Sequence, residues 1–225
     1  MQKSVDKHIC IWYYSKAVEN GREKTVGRDV TAEEILPEIL ADAPYYRRSG
    51  GGVTLSGGEI LGQADFARDL LEACKQSGLH TAVESTANAP FETISRILPF
   101  LDLYLLDIKH MNSAKHKEYT GAGNELILEN AKRLAESGVE LIIRTPVVPN
   151  FNDTPEEIRA ISKFAASLRG VKEHHLLPYH RLGQDKYSGL GRRYSLEGVE
   201  PPSKEKMEYL KACAEECGLK CQIGG

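Results

Sequence analysis

The sequence contains no apolar run that approaches the ~20 residues of a membrane-spanning helix, and it has no excess of basic residues. The first absence predicts a protein without transmembrane helices, and the polar opening from Met1 to Lys7 does not resemble a secretory signal. A net charge of -3 and a pI near 6.2 argue against a nucleic acid as the main partner. We therefore expect a cytoplasmic protein.

Cysteine is also scarce, and its occurrences do not form the pattern of a secreted disulfide framework. The chain has five, an odd number, at Cys10, Cys74, Cys213, Cys217 and Cys221. In a large chain without a signal, this predicts reduced thiols. With 225 residues, 41% of them hydrophobic, the chain is long enough to bury one substantial core, so we expect a single compact domain.

After residue 50, short apolar runs alternate with amphipathic stretches of helical length, the pattern of βα units around a parallel sheet. The predicted strands are Gly52 to Leu55, His80 to Val83, Leu103 to Ile108, Leu141 to Val148, His174 to Pro178 and Cys221 to Ile223. The predicted helices are Thr31 to Ala41, Ala64 to Gln76, Pro90 to Leu98, Glu125 to Glu136, Pro155 to Leu168 and Ser203 to Cys217. The pattern predicts an α/β domain over residues 31–225 and no regular structure over residues 1–30.

Polar side chains stand where most of these strands end. Because ligands of parallel α/β proteins bind at the carboxyl ends of the strands, these residues are candidates for a binding site. The candidates are Glu84, Asp107, Lys109, Arg144 and His180. Any one of them could simply mark where a buried strand reaches solvent. Together, after successive strands, they favour a polar ligand bound across several strands.

The segment Ser56-Gly57-Gly58-Glu59 follows the first predicted strand directly. Paired glycines let backbone amides and carbonyls approach a ligand closely, and Glu59 adds a charged acceptor. A Gly-Gly pair after a strand is also the ordinary sequence of a tight turn, so both interpretations stay open. The segment is not a phosphate-binding P-loop, because no Gly-Lys-Ser/Thr follows it.

From about residue 28 to its end, the sequence resembles the glycyl radical enzyme activating enzymes, the family of the pyruvate formate-lyase activating enzyme within the radical S-adenosylmethionine superfamily. The motifs that carry the resemblance occur in order at Tyr45 to Glu59, Leu106 to His110, Tyr119 to Asn130, Leu177 to Gly183 and Cys221 to Gly225. The resemblance implies an oxidoreductase with a partial (β/α)6 barrel. It also implies that S-adenosylmethionine and a [4Fe-4S] cluster bind at the carboxyl ends of the strands.

The resemblance further implies that a 5′-deoxyadenosyl radical removes a hydrogen atom from a glycine of a glycyl radical enzyme, with flavodoxin or ferredoxin as electron donor. The family's Gly-Gly-Glu element, which holds the methionyl amine, matches Ser56, Gly57, Gly58 and Glu59. The Asp-x-Lys element matches Asp107 and Lys109, the latter directed at the cofactor carboxylate. Arg144 and His180 match further cofactor contacts, and Glu84 matches an acidic residue near a metal cation. Ile60 and Ser85 depart from the family pattern.

The cysteine loop that holds the family's cluster is missing. Three thiolates spaced CxxxCxxC would leave one iron open for the cofactor, and that spacing occurs nowhere in the 225 residues. Cys213, Cys217 and Cys221 are the nearest imitation, but they fall on a helix and the strand after it, where we expect packing residues. Cys10 resembles a remnant of a ferredoxin-like insert. The sequence therefore looks like an activase shortened at its amino terminus.

Three functions remain open at this point. The first is a radical S-adenosylmethionine activase that is inactive alone, because its cysteine loop is absent. The second is a non-catalytic fragment that docks the partner enzyme or the cofactor. The third uses Lys109 beside Asp107 as a Schiff-base lysine of an aldolase type, which borohydride trapping would reveal.

Overall fold

The protein is described by a computed structural model that covers residues 15–19, 22–26, 29–181 and 193–224 of the 225-residue chain. Strands β1 (Ser15–Glu19) and β2 (Arg22–Val26) form an antiparallel pair, with Ser15 opposite Val26 and Glu19 opposite Arg22. The prediction of no regular structure over residues 1–30 is therefore wrong for these two strands. The sequence carries a signal for them, because Asn20-Gly21 between the strands is a strong hairpin dipeptide.

Six parallel strands form the main sheet, and their order in the sheet is their order in the chain. The strands are β3 (Gly52–Leu55), β4 (His80–Ser85), β5 (Leu103–Asp107), β6 (Glu140–Val147), β7 (Glu173–Pro178) and β8 (Lys220–Ile223). Sequential order with right-handed crossovers puts the connecting helices on one side of the sheet, as in a barrel. The predicted α/β partial barrel is confirmed, and each predicted strand lies within two residues of its observed bounds.

Helices precede β3 and follow each of the strands β3 to β7. They are α1 (Ala32–Ala41), α2 (Ala43–Ser49), α3 (Ala64–Gln76), α4 (Phe91–Ser95), α5 (Ser113–Thr120), α6 (Glu125–Ser137), α7 (Pro155–Ser167) and α8 (Lys204–Glu215). The predicted helix Pro90 to Leu98 is shorter than expected, because α4 ends at Ser95 and Pro99 lies in a separate 3-10 turn. Helices α2 and α5 were not predicted. In α5 only His116 is buried, so no apolar period marks that helix in the sequence.

Helix α1 begins where the sequence predicts, at a capping box. The Thr31 hydroxyl accepts a hydrogen bond from the Glu34 amide at 3.2 Å, and the Glu34 carboxylate accepts one from the Thr31 amide at 2.8 Å. Two amides that the helix itself cannot satisfy are thereby paired, which is typically worth ~1 kcal/mol. The helix is fixed immediately before the sheet begins.

The two faces of the sheet differ in burial. Tyr104, Leu106 and Ile143 point to the helix side and are fully buried, which makes them part of the main hydrophobic core. Asp107 and Arg144 alternate with these residues and therefore point to the opposite face, which we call the inner face and which is only partly buried. The helix-side core contributes about 1.5–3 kcal/mol for each large apolar side chain that it removes from water. It leaves the inner face open for polar side chains.

Among the residues that the structure describes, no helix is both long and apolar enough to span a membrane.

Candidate functional site

The carboxyl end of the sheet brings an acid and a base together on neighbouring positions of the inner face. Asp107 ends β5, and the Nζ atom of Lys109 lies 3.0 Å from its Oδ2. Both side chains are about one quarter exposed, at 20% and 27%. The amine is thus engaged by a carboxylate, whereas attack on a carbonyl carbon needs an amine that is free to approach it. The geometry thus favours an ion pair over an aldolase-type lysine.

A second ion pair and a hydrogen bond together connect three strands at the same end of the sheet. Arg144 lies on β6 in register with Asp107, but its Nη1 pairs with Oε1 of Glu84 on β4. The other oxygen of Glu84 accepts a hydrogen bond from the hydroxyl of Ser56, which directly follows β3. The sequence-predicted residues Ser56, Glu84 and Arg144 therefore form one connected network. Both oxygens of Glu84 are bonded by the protein in this network, so a metal cation would have to compete for them.

Two buried atoms at this end of the sheet have no hydrogen-bond partner among the residues that the structure describes. They are Oδ1 of Asp107 and Nε of Arg144, an acceptor and a donor on adjacent strands. Leaving such a group buried and unpaired costs about 1–3 kcal/mol, and more when the group is charged. Buried polar atoms without a partner require an explanation, and a polar ligand that completes the bonding is one. They are the strongest structural signal in the site.

The glycine turn after β3 is held in place by Glu59. Gly57 has a φ of 145°, a backbone conformation that residues with a Cβ rarely adopt. The Glu59 carboxylate accepts hydrogen bonds from the Leu61 amide at 3.2 Å, from the Ser85 hydroxyl at 2.6 Å, and from the amide and hydroxyl of Thr86 at 3.1 and 2.7 Å. Protein donors therefore occupy both oxygens of Glu59. The main chain of Ser56 to Gly58, rather than the Glu59 carboxylate, is left to face a ligand.

Ser85 and Thr86 belong to the candidate site through their bonds to Glu59, although the sequence did not single out either hydroxyl. They follow Glu84 at the end of β4, where the departure from the family pattern drew attention to Ser85 but not to its hydroxyl as a donor. Their hydroxyls join the β4 end to the turn after β3. Only the contact between the two strand ends reveals this role, because the donors and acceptor are 26 and 27 residues apart.

A cavity of about 520 Å³ lies beside this turn. One wall is the segment Ser56 to Glu59, and the rest is largely apolar, with Ile39 from α1, Val53 from β3 and Leu70 from α3. Gln63 also lines it, and its Oε1 is buried without a partner. The cavity thus adjoins the candidate site on the side of the β3 edge.

His180 is at the same edge of the sheet but apart from the network. It lies two residues beyond the end of β7 and is exposed. Among the described residues, none is hydrogen-bonded or ion-paired to its ring. Parallel strands place His180 and Asp107 at one end of the sheet, as predicted, but the structure does not join His180 to Glu84, Asp107 or Arg144.

The described cysteines do not suit an iron–sulfur cluster. Cys213 and Cys221 are buried in packing positions, and burial raises the pKa of the Cys221 thiol to about 12. Burial likewise raises the pKa of Cys74, whereas cluster ligands are thiolates. Within residues 29–181 and 193–224, no group of three His, Cys, Asp or Glu side chains is placed to hold a metal ion. Cys10 lies outside the described residues. The described part of the chain therefore offers no fitting ligand set for the cluster that the resemblance implies.

The sequence is similar to known proteins over most of its length. Residues 9–165 match the radical SAM superfamily. The chain is 39% identical over 196 residues to the pyruvate formate-lyase 1-activating enzyme of Escherichia coli (strain K12), a match that covers 86% of this chain and 80% of that protein. It is 41% identical over 191 residues to the choline trimethylamine-lyase activating enzyme of Oleidesulfovibrio alaskensis, covering 84% of this chain and 62% of the other.

A solved structure agrees with these sequence matches. A domain of the pyruvate-formate lyase-activating enzyme from Bacteroides vulgatus superposes with a TM-score of 0.65 at 35% identity, and the match covers 78% of this chain and 99% of that domain. The chain belongs to the radical S-adenosylmethionine superfamily and, within it, to the family of the pyruvate formate-lyase activating enzymes.

Proposed function

We propose that this chain binds S-adenosylmethionine at the carboxyl edge of its sheet and serves the activation of a glycyl radical enzyme. The observation that carries the proposal is the pair of unpartnered buried atoms, Asp107 Oδ1 and Arg144 Nε. A methionyl group offers an ammonium and a carboxylate, which are the complements of these two atoms. Family membership supports the same ligand, because S-adenosylmethionine defines the superfamily.

Each residue of the edge has a proposed task. The main chain of Ser56 to Gly58 accepts the methionyl amine together with Asp107 Oδ1. Lys109 and Arg144 neutralise the carboxylate, since both cations lie within the same partly buried edge. His180 is proposed as an outer contact that reaches the cofactor from β7. Glu59 acts through the turn, whose shape it fixes, and we class it as a positioning residue.

We propose that the main role of Glu84 is to orient Arg144 and that holding a metal cation is secondary. Its carboxylate already receives one guanidinium and one hydroxyl, so its charge is compensated. A cation between Glu84 and Asp107 is a further proposal that requires the Arg144 pair to loosen. A comparison of cofactor affinity in potassium and in tetramethylammonium buffers tests it, because only a bound metal ion makes the affinity depend on the cation.

When bound, S-adenosylmethionine supplies the adenosyl group with which enzymes of this superfamily remove a hydrogen atom. The reductive step needs a cluster with an open iron, and the described cysteines do not provide its thiolates. We therefore propose that this chain alone binds the cofactor weakly and does not cleave it. The protein substrate of the proposed activity is a glycyl radical enzyme, and flavodoxin or ferredoxin is the proposed electron donor.

A second candidate function is docking without catalysis. The specific observation in its favour is that the buried cysteines are packing residues while the cofactor edge is intact. A chain of this kind would hold the partner or the cofactor without performing the redox step. Cofactor binding alone does not separate the two candidates, but cluster content does.

Calorimetric titration with S-adenosylmethionine tests the proposed function directly. We expect saturable binding that weakens about tenfold in Asp107→Asn, because one charge-assisted hydrogen bond is worth roughly 1.5–3 kcal/mol. Asp69→Asn is the matched control, since Asp69 pairs with Arg68 on the surface of α3. Absence of binding by the unaltered chain at millimolar cofactor would refute the proposal.

A further inference from the structure

On the inner face, a row of polar side chains continues from β5 and β6, which carry Asp107 and Arg144, onto β7 and β8. In the sheet register, Asp107 lies beside Arg144, Arg144 beside His175, and His175 beside Gln222. Residues in register on parallel strands point to the same face. The row therefore spans β5 to β8, a distance of about 14 Å at about 4.8 Å per strand. His175 and Gln222 form the half of the row that lies farther from the glycine turn.

His175 is oriented by a charged partner on its own strand. Its Nε2 lies 3.1 Å from Oε2 of Glu173, two residues earlier, and the other oxygen of Glu173 accepts from Lys220 Nζ at 2.8 Å. A carboxylate only accepts hydrogen bonds, so Nε2 carries the proton and Nδ1 of the neutral ring is an acceptor. Among the described residues, none is bonded to Nδ1. The imidazole side chain is 11% exposed, which limits its freedom to turn.

Gln222 is the second residue of this half of the row, and it contributes a primary amide. It is exposed at the end of the sheet, on β8, and no other described residue is bonded to its amide. A primary amide presents one acceptor and two donors in the geometry of a peptide group. Half-buried Leu177, on β7, adds apolar surface on the same face. An acceptor, an amide and an apolar side chain together suit an extended main chain rather than a charged ligand.

We infer that His175 and Gln222 bind the main chain of the glycine-bearing peptide segment that the partner enzyme presents, with Glu173 and Lys220 as positioning residues for His175. The inference rests on the proposed function, which assigns the Asp107 and Arg144 half of the row to the cofactor. An extended peptide of about two residues, at about 3.3 Å per residue, spans the step of about 4.8 Å from His175 to Gln222 and leaves the cofactor half of the row free. The peptide would thus lie along the row, with its N–H groups toward Nδ1 and its carbonyls toward the Gln222 amide.

Two substitutions at one position separate a binding role from a structural one. His175→Asn keeps an acceptor near the place of Nδ1 but shortens the reach to Glu173. His175→Gln keeps a donor near the place of Nε2, and so the contact with Glu173, but removes the acceptor. A peptide-binding role predicts that the Asn variant is the better binder, whereas a purely structural role predicts the reverse. His80→Asn is the matched control, because His80 begins β4 at the opposite end of the sheet and is exposed.

The probe is the capped peptide acetyl-Ala-Val-Gly-Ala-Val-amide, added to the chain in saturating S-adenosylmethionine. Histidine labelled with 13C at Cε1 gives one NMR signal for each of the seven histidines, and the variants assign those of His175 and His80. We expect the peptide to shift the His175 signal and not that of His80. We expect the peptide Kd to rise about tenfold in His175→Gln and less than threefold in His175→Asn, as for the loss of one hydrogen bond.

The outcomes are distinguishable from failure of the proposed function. Cofactor binding with no response of the His175 signal to millimolar peptide would overturn the inference and leave the proposed function standing. A smaller loss of peptide affinity in His175→Gln than in His175→Asn would also overturn it. Absence of cofactor binding counts against the proposed function, whichever way the peptide behaves. Thermal melts of both variants confirm that they are folded.

Discussion

Arg144 lies in register with Asp107 on the neighbouring strand, yet its guanidinium pairs with Glu84, two strands away. As a result, Oδ1 of Asp107 is buried and has no hydrogen-bond partner among the described residues, although Arg144 lies beside Asp107 on the adjacent strand. Glu84 thus prevents Asp107 and Arg144 from neutralising each other. Both remain able to bond a zwitterionic ligand.

Glu84→Gln is expected to weaken S-adenosylmethionine binding about three- to tenfold, although Glu84 is not placed on the ligand. Without its charged partner, Arg144 turns toward Asp107 and the two satisfy each other. Calorimetric titration measures the effect, and Glu72→Gln is the control, since Glu72 is a half-buried residue of α3 that is bonded to Gln76. Unchanged affinity in Glu84→Gln would show that the Glu84 pair does not organise the edge.

Glu59→Gln is expected to lower the free energy of unfolding by about 1–3 kcal/mol, because the amide nitrogen of glutamine cannot accept the hydrogen bonds that one carboxylate oxygen accepts now. The donors left unpaired are those of Leu61 and Ser85, which share one oxygen, or the amide and hydroxyl of Thr86, which share the other. Urea unfolding followed by circular dichroism measures this loss. Equal stability of Glu59→Gln and the unaltered chain would contradict the assigned role.

Stability is expected to fall with pH below about 6.5 because of His174. This side chain accepts a hydrogen bond from Ser162 and donates one to Thr145, so it is neutral, and burial lowers its pKa to about 3. Between that value and the ordinary value of 6.5, the unfolded chain binds the extra proton, so folding stability decreases as the pH falls and is fully retained above 6.5.

The slope expected from this one group is about 1.4 kcal/mol per pH unit. His174→Asn should be less stable at pH 7.5, but its stability should change less between pH 6.5 and 5 than that of the unaltered chain. Thermal melts over this range test the prediction, and His80→Asn, at an exposed position, should keep the original slope. A parallel pH profile of His174→Asn would exclude His174 as the cause.

Anaerobic reconstitution with iron and sulfide is expected to leave the chain without a stoichiometric cluster. The described thiols are packing groups, and burial raises the pKa of Cys74 and Cys221, which disfavours the thiolate. Bound iron, and 5′-deoxyadenosine formed after addition of a reductant, are the measurements, with the Escherichia coli relative as positive control. A stoichiometric cluster that disappears in the triple serine variant of Cys213, Cys217 and Cys221 would refute the expectation.

The sheet and most helices could be predicted because each strand is an apolar run and each helix has a repeating apolar face. The β1–β2 hairpin was missed because its strands are short and mostly polar, although Asn20-Gly21 between them was a usable signal. The strand ends pointed to Asp107, Lys109 and Arg144 because parallel strands end at one edge. Partner choice could not be predicted, because it depends on register and on the reach of individual side chains.

Glu59 and His175 illustrate this limit. The sequence suggests a free charged acceptor at Glu59, but only the contact with Ser85 and Thr86, more than 25 residues away, shows that the protein already uses it. Likewise, the sequence draws attention to His180 at the end of β7, whereas the register places His175 in the row with Arg144. Spacing along one strand gives the face of a side chain but not its neighbours on the next strand.

The sequential strand order has a consequence for how this architecture can change over evolutionary time. Every strand pairs only with the strand before it and the strand after it in the chain, so no pairing spans the whole sheet. A βα unit added or lost at either edge would disturb one ladder and leave the others intact. The fold is in this respect modular, because a change at the β8 edge would leave the ladders from β3 to β7, and the candidate site on them, in place.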